Sequence, residues 1–376
     1  MIDLPYEIVL LLTFIVSFAV TYLSIPSIIG VAKAKKLFDE PNSRRVHNLQ
    51  IPTLGGVAIF AGFTVSAGSF ISYSLVPSLQ YILVACIIIF FIGMKDDILV
   101  IAPLKKLFGQ IAAALVLIIP GNVKFTSIHG FMGIYSLEFL PYPELISWLL
   151  TLFVIIVITN SLNLIDGIDG LAATVGMMST VFFGMWFFIS GNIEYSLLSA
   201  AVFGTLLVFF KYNVFGGKNK IFMGDTGSLI VGLLLAVQVI LFNEKNIGYT
   251  SAFSIKSAPA VSFAVLIVPL YDTLRVFIIR MIRGRSPFKA DKNHLHHCLL
   301  KLGYNHRKST LLFASANLFF IVLAILLQNL GIFWLMLVIM GIATILSFFL
   351  EHLVKKNGHT LNDEVAQKRK PHKPKG

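Results

Sequence analysis

Five aspartates stand where apolar segments of this chain give way to polar ones. Asp96 and Asp97 end one apolar run. Asp166 and Asp169 lie in Asn160–Leu171, which reads Asn-Ser-Leu-Asn-Leu-Ile-Asp-Gly-Ile-Asp-Gly-Leu, and Asp225 lies in Phe222-Met-Gly-Asp-Thr-Gly-Ser228. A carboxylate at the centre of a bilayer costs about 2.5–3.5 kcal/mol or more, and less near the surface. A polar turn explains one such junction; repetition at several junctions points to a use. Carboxylates clustered with cations suit a divalent metal and phosphates, because Mg²⁺ takes one or two carboxylates and fills its remaining positions with water and substrate oxygens. Phosphoryl transfer needs chiefly such positioning and charge stabilisation. Asp96, Asp97, Asp166, Asp169 and Asp225 are therefore candidate ligands or proton acceptors, and Asn163 offers an amide oxygen. Lys105, Lys106, Arg283 and Arg285 are candidates to neutralise phosphate charge.

The stretch from Gly224 to Ser228 opens a helix, where free N–H groups and the helix dipole favour a phosphate. For Thr226 and Ser228 an N-capping role is the favoured reading. Phe222 is placed to stack on a planar base, although packing is the ordinary role of any one Phe among 33. His294, His296 and His297 do not share one helical face. A loop turning them toward phosphate or sugar is expected, with a solvated basic loop as the alternative. Zinc is disfavoured: it wants three or four N/S ligands, and only Cys298 is near. Arg44-Arg45-Val46-His47 reads as a basic anchor, and Gly55-Gly56 as close helix packing or backbone turned toward a ligand.

The elements that must hold these residues are membrane helices. The 376 residues are 57% hydrophobic and 13% charged, against about 25% charged in a soluble domain, and mean hydropathy is +0.85. About eleven spans are expected, near 7–29, 52–73, 80–95, 105–120, 145–160, 171–190, 195–212, 227–243, 259–281, 310–328 and 331–350. The runs do not alternate as barrel strands would, and Asp3 and Glu7 stand where a cleavable signal needs positive charge. Cys86 and Cys298 form no disulfide or metal framework. The expected architecture is an all-α helical bundle forming one membrane domain over residues 1–350, with a basic, disordered tail over 351–376.

A net charge of +12 would suggest nucleic acid in a soluble protein, but here it follows topology. All but Lys124, Lys245 and Lys256 of the 30 Lys and Arg fall in alternate connections or the tail. The positive-inside rule places those connections and the C-terminus in the cytoplasm, the N-terminus outside, and the aspartate and histidine motifs on the cytoplasmic face. No nucleic-acid partner is expected. An ion-coupled carrier would place its acids near the midplane, often in a repeated architecture; these acids sit at span ends and no repeat is evident.

Taken together, Arg45–His47 with Pro52–Gly56, Gly93–Asp97, Asn160–Leu171, Phe222–Ser228 and His294–His297 resemble the polyprenyl-phosphate N-acetylhexosamine-1-phosphate transferases, glycosyltransferase family 4. The resemblance implies a multi-pass enzyme of the bacterial inner membrane. Such an enzyme moves N-acetylhexosamine 1-phosphate from a UDP-sugar to undecaprenyl phosphate and releases UMP. It implies Mg²⁺ (or Mn²⁺), with Asp225 the main ligand and Asn163 a second. Asp96 and Asp97 would activate or orient the acceptor phosphate, Asp166 and Asp169 would lie near the nucleotide as further catalytic carboxylates, and Phe222 would stack on uracil. Asn160, Lys105 or Lys106, and His47 would contact substrate, while His294, His296 and His297 would meet the donor's sugar or diphosphate. His294-Leu-His-His297 is closer to the N-acetylglucosamine-type loop than to the muramoyl-pentapeptide branch, which stays the alternative. The stretch Val214–Ile221 is longer than the pattern, so the place of Asn213 is open. A homodimer is compatible with the resemblance.

Overall fold

The computed structural model describes residues 5–35, 37, 51–131, 133–284 and 294–368, with side chains through 356. Its described residues form thirteen α-helices: α1 (Tyr6–Lys35), α2 (Gly55–Phe70), α3 (Leu79–Leu99), α4 (Pro103–Ile118), α5 (Pro143–Ile165), α6 (Leu171–Ile189), α7 (Ile193–Phe215), α8 (Gly224–Asn246), α9 (Ala258–Val265), α10 (Ile267–Ile282), α11 (Leu295–Lys301), α12 (His306–Leu326) and α13 (Ile332–Lys368). Strands are absent among the described residues, and between α4 and α5 those residues include an isolated bridge, Phe131 to Ile134, and a 3-10 turn, Leu137–Phe139.

Each of the eleven expected segments falls on a helix, but fewer qualify as spans. Among the described residues seven helices are long and apolar enough to cross a bilayer, and α9 with α10 makes an eighth if that bent pair is one span. The short members α2 and α4 have 16 residues each, about 24 Å of helix against about 30 Å of hydrocarbon. The chain is a multi-pass membrane protein, and its outer helices show it: Leu11, Leu23, Leu311, Leu326, Ile345 and Phe348 are all exposed. The expected boundary at 350 is not marked by a break, since α13 continues to Lys368.

The expected span over 259–281 is two helices meeting at 85°. Pro269 explains the break. It has no N–H to offer the carbonyl four residues back, at Val265, and its ring disfavours the straight helix. That carbonyl instead accepts from Asn317 Nδ2 at 3.2 Å and from Ser179 Oγ at 3.4 Å. Broken backbone at membrane depth survives where protein groups satisfy it.

The bundle is built around α8. Within its most apolar stretch 94% is buried, against 22% for α1 and 28% for α13, and it packs on α2, α3, α5 and α6. A helix apolar on all sides belongs inside. Lipid tails are as apolar as Leu, so helices associate in a membrane through close packing and polar contacts. Both occur here. Gly232 lies against Thr159 of α5 with no room for a Cβ, Ser199 donates to Gln238 at 3.1 Å, and Asn243 reaches Ser262 at 3.1 Å.

Candidate active site

The N-terminus of α8 is the fixed point of the site, and other helices supply what holds it there. Gly56 of α2 and Gly93 of α3 lie so close to Gly227 and Thr226 that a Cβ on either would strike the α8 backbone. Ahead of α8 the chain pairs with the 52–56 stretch: Phe222 N–H donates to Pro52 O, Gly55 N–H to Phe222 O and Gly56 N–H to Met223 O, all within 2.8–2.9 Å. Gly55-Gly56 therefore serves close packing and backbone pairing with the Phe-Met-Gly-Asp segment. Gly224 has φ +70, which favours glycine, and a side chain there would meet Thr53 O and the Asp97 carboxylate.

Asp97 accepts from the Asp225 N–H at 2.6 Å, the Thr226 N–H at 3.0 Å and Thr226 Oγ1 at 2.5 Å. It caps α8 from α3. Two expectations change as a result. The first N–H groups of α8 serve a carboxylate of this chain, so they are not open to a phosphate. Thr226 and Ser228 are not N-caps either: Thr226 donates to Asp97, and Ser228 Oγ donates to Gly224 O at 2.9 Å.

Asp225 then faces α4 and α5. Lys106 Nζ lies 2.7 Å from Asp225 Oδ1, 3.1 Å from Asp96 Oδ2 and 3.4 Å from Asn163 Oδ1. Asn163 Nδ2 donates to Asp225 and, at 2.8 Å, to Ser228 Oγ. Asp96 also accepts from the Ile101 N–H at 2.7 Å, fixing the turn between α3 and α4. Three oxygens thus converge on one cation. Lys106 is the lysine in the site; Lys105, one residue earlier on α4, is exposed.

A second cluster forms at the α5–α6 connection. Asp169 Oδ2 meets Lys220 Nζ at 2.5 Å and His306 Nδ1 at 3.0 Å, and Thr310 Oγ1 donates to its carbonyl at 2.8 Å. Burial alone would raise its pKa, but the His306 and Lys220 hydrogen bonds and charges hold it below the usual carboxylate range. Asp166 lies between the clusters, and its carboxylate has no hydrogen-bond partner among the described residues. Burial, then the charges of Asp225, Asp169 and Asp97, push its pKa well up. Asp96, Asn163 and Asp225 of the first cluster, Asp169 and His306 of the second, and Asp166 line one cavity of about 760 Å³, together with Phe222 and Asn213. That volume is within the range of about 300–1,000 Å³ typical of ligand pockets. The Lys220 ammonium lies 5.4 Å from the centre of the Phe222 ring.

Several expected residues serve to join helices or pack against the cavity wall. Asn160 forms a reciprocal amide pair with Gln110 of α4, at 2.7 and 3.2 Å, and so joins two helices. Asn213 ties the α6 start to the Phe222 segment, accepting from the Gly170 N–H at 2.6 Å and donating to Ile221 O at 2.9 Å. The histidines begin the short α11 instead of lying in an open loop. His294 and His296 are buried, which disagrees with a solvated basic loop. Their rings stack at 5.6 Å and 10°, His297 lies 4.2 Å beyond, and His296 covers Gly167, where no Cβ would fit. Burial, then the neighbouring His297, bring the His296 pKa down to about 4. Arg44, Arg45, His47 and Arg285 lie outside the described residues, and Arg283 is exposed at the end of α10.

Sequence reasoning missed His306 and Lys220 as members of these clusters, and Asp272 of α10, whose carboxylate lies 2.9 Å from His294 Nδ1 and 3.6 Å from Arg275. For Asp272 a signal existed, a carboxylate inside an apolar segment. His306 carries none, since nothing local tells that α12 starts beside Asp169.

Among the described residues no three His, Cys, Asp or Glu side chains are gathered as a metal cage, and both cysteines are free and buried. The hard oxygens of Asp96, Asp225 and Asn163 already surround an ammonium, and their chemistry fits Mg²⁺, which needs few protein ligands when substrate phosphates complete its shell.

A sequence model of glycosyl transferase family 4 matches residues 79–243. The chain is 32% identical over 339 residues to the probable undecaprenyl-phosphate N-acetylglucosaminyl 1-phosphate transferase of Bacillus subtilis, covering 89% of each. It is 28% identical over 331 residues to the undecaprenyl-phosphate alpha-N-acetylglucosaminyl 1-phosphate transferase of Escherichia coli K12, covering 85% of this chain and 84% of that one. With the decaprenyl-phosphate N-acetylglucosaminephosphotransferase of Mycobacterium tuberculosis H37Rv it shares 33% over 297 residues, 72% of this chain and 71% of the relative.

Proposed function

The chain belongs to glycosyl transferase family 4, and from that premise we propose that it transfers N-acetylglucosamine 1-phosphate from UDP-N-acetylglucosamine to undecaprenyl phosphate. An oxygen of the lipid phosphate attacks the sugar-bearing phosphorus. A new P–O–P bond forms, the old one breaks, and UMP leaves with the bridging oxygen. No net proton is required. A phosphate monoester with a second pKa near 6 is already largely ionised at neutral pH. The barrier is the approach of two anions, which cations in a preorganised site lower.

The observation that carries this reading is the convergence of Asp96, Asp225 and Asn163 on the Lys106 ammonium, beside a cavity large enough for a nucleotide sugar's diphosphate. Mg²⁺ would be held by Asp225 and Asn163, with Asp96 beside it, and would supply charge neutralisation and a template for the phosphates. Lys106 then turns from the carboxylates to a phosphate oxygen. His306 faces the same cavity, and Lys220 lies behind it on Asp169; both supply further positive charge or hydrogen-bond donors. Asp97 holds Asp225 by capping its helix. Phe222 offers its ring to the uracil. The basic connections favour a cytoplasmic site in the inner membrane, where the nucleotide sugar is dissolved, while the acceptor arrives through the bilayer.

An ion-coupled carrier would use backbone freed at a helix break to hold its ion. Here the freed Val265 carbonyl is taken by Asn317 and Ser179. The test is purified protein with undecaprenyl phosphate and radiolabelled UDP-N-acetylglucosamine, with and without Mg²⁺, following lipid product and UMP together. Equal, metal-dependent release of both is expected. Product from another UDP-sugar alone would overturn the donor, and no product from any would overturn the reaction.

A further inference from the structure

Outside the cavity, one buried ionic chain leads from the last helix to the histidines, and the reaction as described makes no use of it. Asp272 of α10 is 2% exposed, a carboxylate enclosed in the bundle. Its two oxygens serve different donors. Oδ1 accepts from the Leu295 N–H at 3.0 Å, capping α11, and Oδ2 lies 2.9 Å from His294 Nδ1. Arg275, one turn along α10, comes within 3.6 Å of Oδ1. Its guanidinium in turn is gripped by Glu351 of α13, with Nε to Oε1 at 3.0 Å. A buried charge persists where it is paired and hydrogen-bonded, and this one is satisfied on both oxygens. From His294 the contact continues through the stacked His296 ring to Gly167, the neighbour of Asp166.

We propose that Asp272 is a positioning residue for the transfer. It holds His294 with the proton on Nδ1, so that the His296 ring stacked on it stays against Gly167 of the α5–α6 connection, and the Arg275–Glu351 pair locks Asp272 in place from α13. This rests on the reading that the histidines meet the donor. The physical reason is a count of acceptors. A carboxylate offers acceptors to both the Leu295 N–H and His294 Nδ1–H. Asparagine offers one oxygen and one NH₂. If the oxygen keeps capping α11, the NH₂ faces Nδ1, which must then accept, and the proton moves to Nε2. A carboxylate orienting a histidine acts the same way in hydrolase triads, where its amide replacement traps the wrong tautomer.

The experiment is made on full-length protein with ¹⁵N-labelled histidine, with His294 assigned by comparison with His294→Gln. Nitrogen shifts are expected to show a protonated Nδ1 at His294 in the unaltered protein and an Nε2-protonated tautomer in Asp272→Asn. In the transferase assay Asp272→Asn should lower kcat by roughly 100-fold, the scale of a misplaced positioning group, with KM for the nucleotide sugar within about threefold. Glu351→Gln, one step outward, should lower kcat by a smaller factor. An unprotonated Nδ1 in the unaltered protein, or unchanged kcat in a folded Asp272→Asn protein, overturns the proposal. Should Asp272→Asn fail to fold, the unaltered spectrum decides alone. Should the unaltered protein transfer no sugar phosphate, the proposed reaction fails, while the spectrum still decides whether Asp272 holds the tautomer.

Discussion

Lys106 and Lys105 are adjacent in sequence, and their surroundings differ sharply. The first lies among Asp96, Asp225 and Asn163, while the second faces outward. Lys106→Met is expected to lower the rate of lipid product formation by about 10²–10³-fold, the scale of one preorganised electrostatic group. Lys105→Met should stay within about fivefold, the scale of an exposed charge. The histidines supply a pH prediction. The His296 pKa is held down to about 4 by burial and by His297, whereas in the unfolded chain it returns to about 6.5. A base depressed in the folded state contributes stability that is full above pH 6.5 and is lost as pH falls toward 4. Thermal unfolding in detergent should show the midpoint dropping across that window, and His296→Gln should flatten the drop. Asp166 runs the opposite way. Its raised pKa means that stability present below about pH 4, the unfolded value, is lost as pH rises. Asp166→Asn should therefore raise the midpoint at pH 7 and leave it unchanged near pH 3, while abolishing transfer if its carboxylate is used.

At the scale of elements, small residues decide where α8 begins. Gly93 touches Thr226 and Gly56 touches Gly227, with no space for a methyl group. Overpacking of this kind costs about 1–3 kcal/mol, and here the strain falls on the backbone carrying Asp225. Gly93→Ala should lower the thermal midpoint and reduce kcat, even though residue 93 touches no substrate in the proposed reaction. Initial rates normalised to folded protein would separate the two effects. The break between α9 and α10 follows from Pro269, a residue visible in the sequence, although the expected span passed through it. Its consequence was not visible. Only with α6 and α12 in place does the Val265 carbonyl find Ser179 and Asn317, and only then does the break become affordable at membrane depth.

For the whole molecule, composition and charge order already predict a membrane protein with its acidic and histidine motifs at one end. The structure gathers Asp96, Asp97, Asp166, Asp169 and Asp225 around one cavity. Orientation is a separate matter, argued from Lys and Arg alone. Single cysteines introduced at Lys105 and Lys124, in a protein whose Cys86 and Cys298 are replaced by Ser, test it in intact cells and oriented vesicles. A membrane-impermeant thiol reagent should reach position 105 from the cytoplasmic side and position 124 from outside. Labelling of both from one side would overturn the assigned topology.

Helix positions and the motifs at their ends were legible in the sequence because both are local. An apolar run long enough to cross lipid must be helical, and a carboxylate beside it stands out by its cost. The partners of those carboxylates were not legible. That Asp97 caps α8, that Lys106 is the inward lysine, that Asp169 takes Lys220 and His306, and that Asp272 joins His294 to Glu351 all depend on residues 20 to 140 positions apart. No periodicity encodes such distances. They are set when glycine-lined contacts bring α2, α3 and α5 against α8, and a hydrogen bond forms only where packing leaves its donor and acceptor about 3 Å apart.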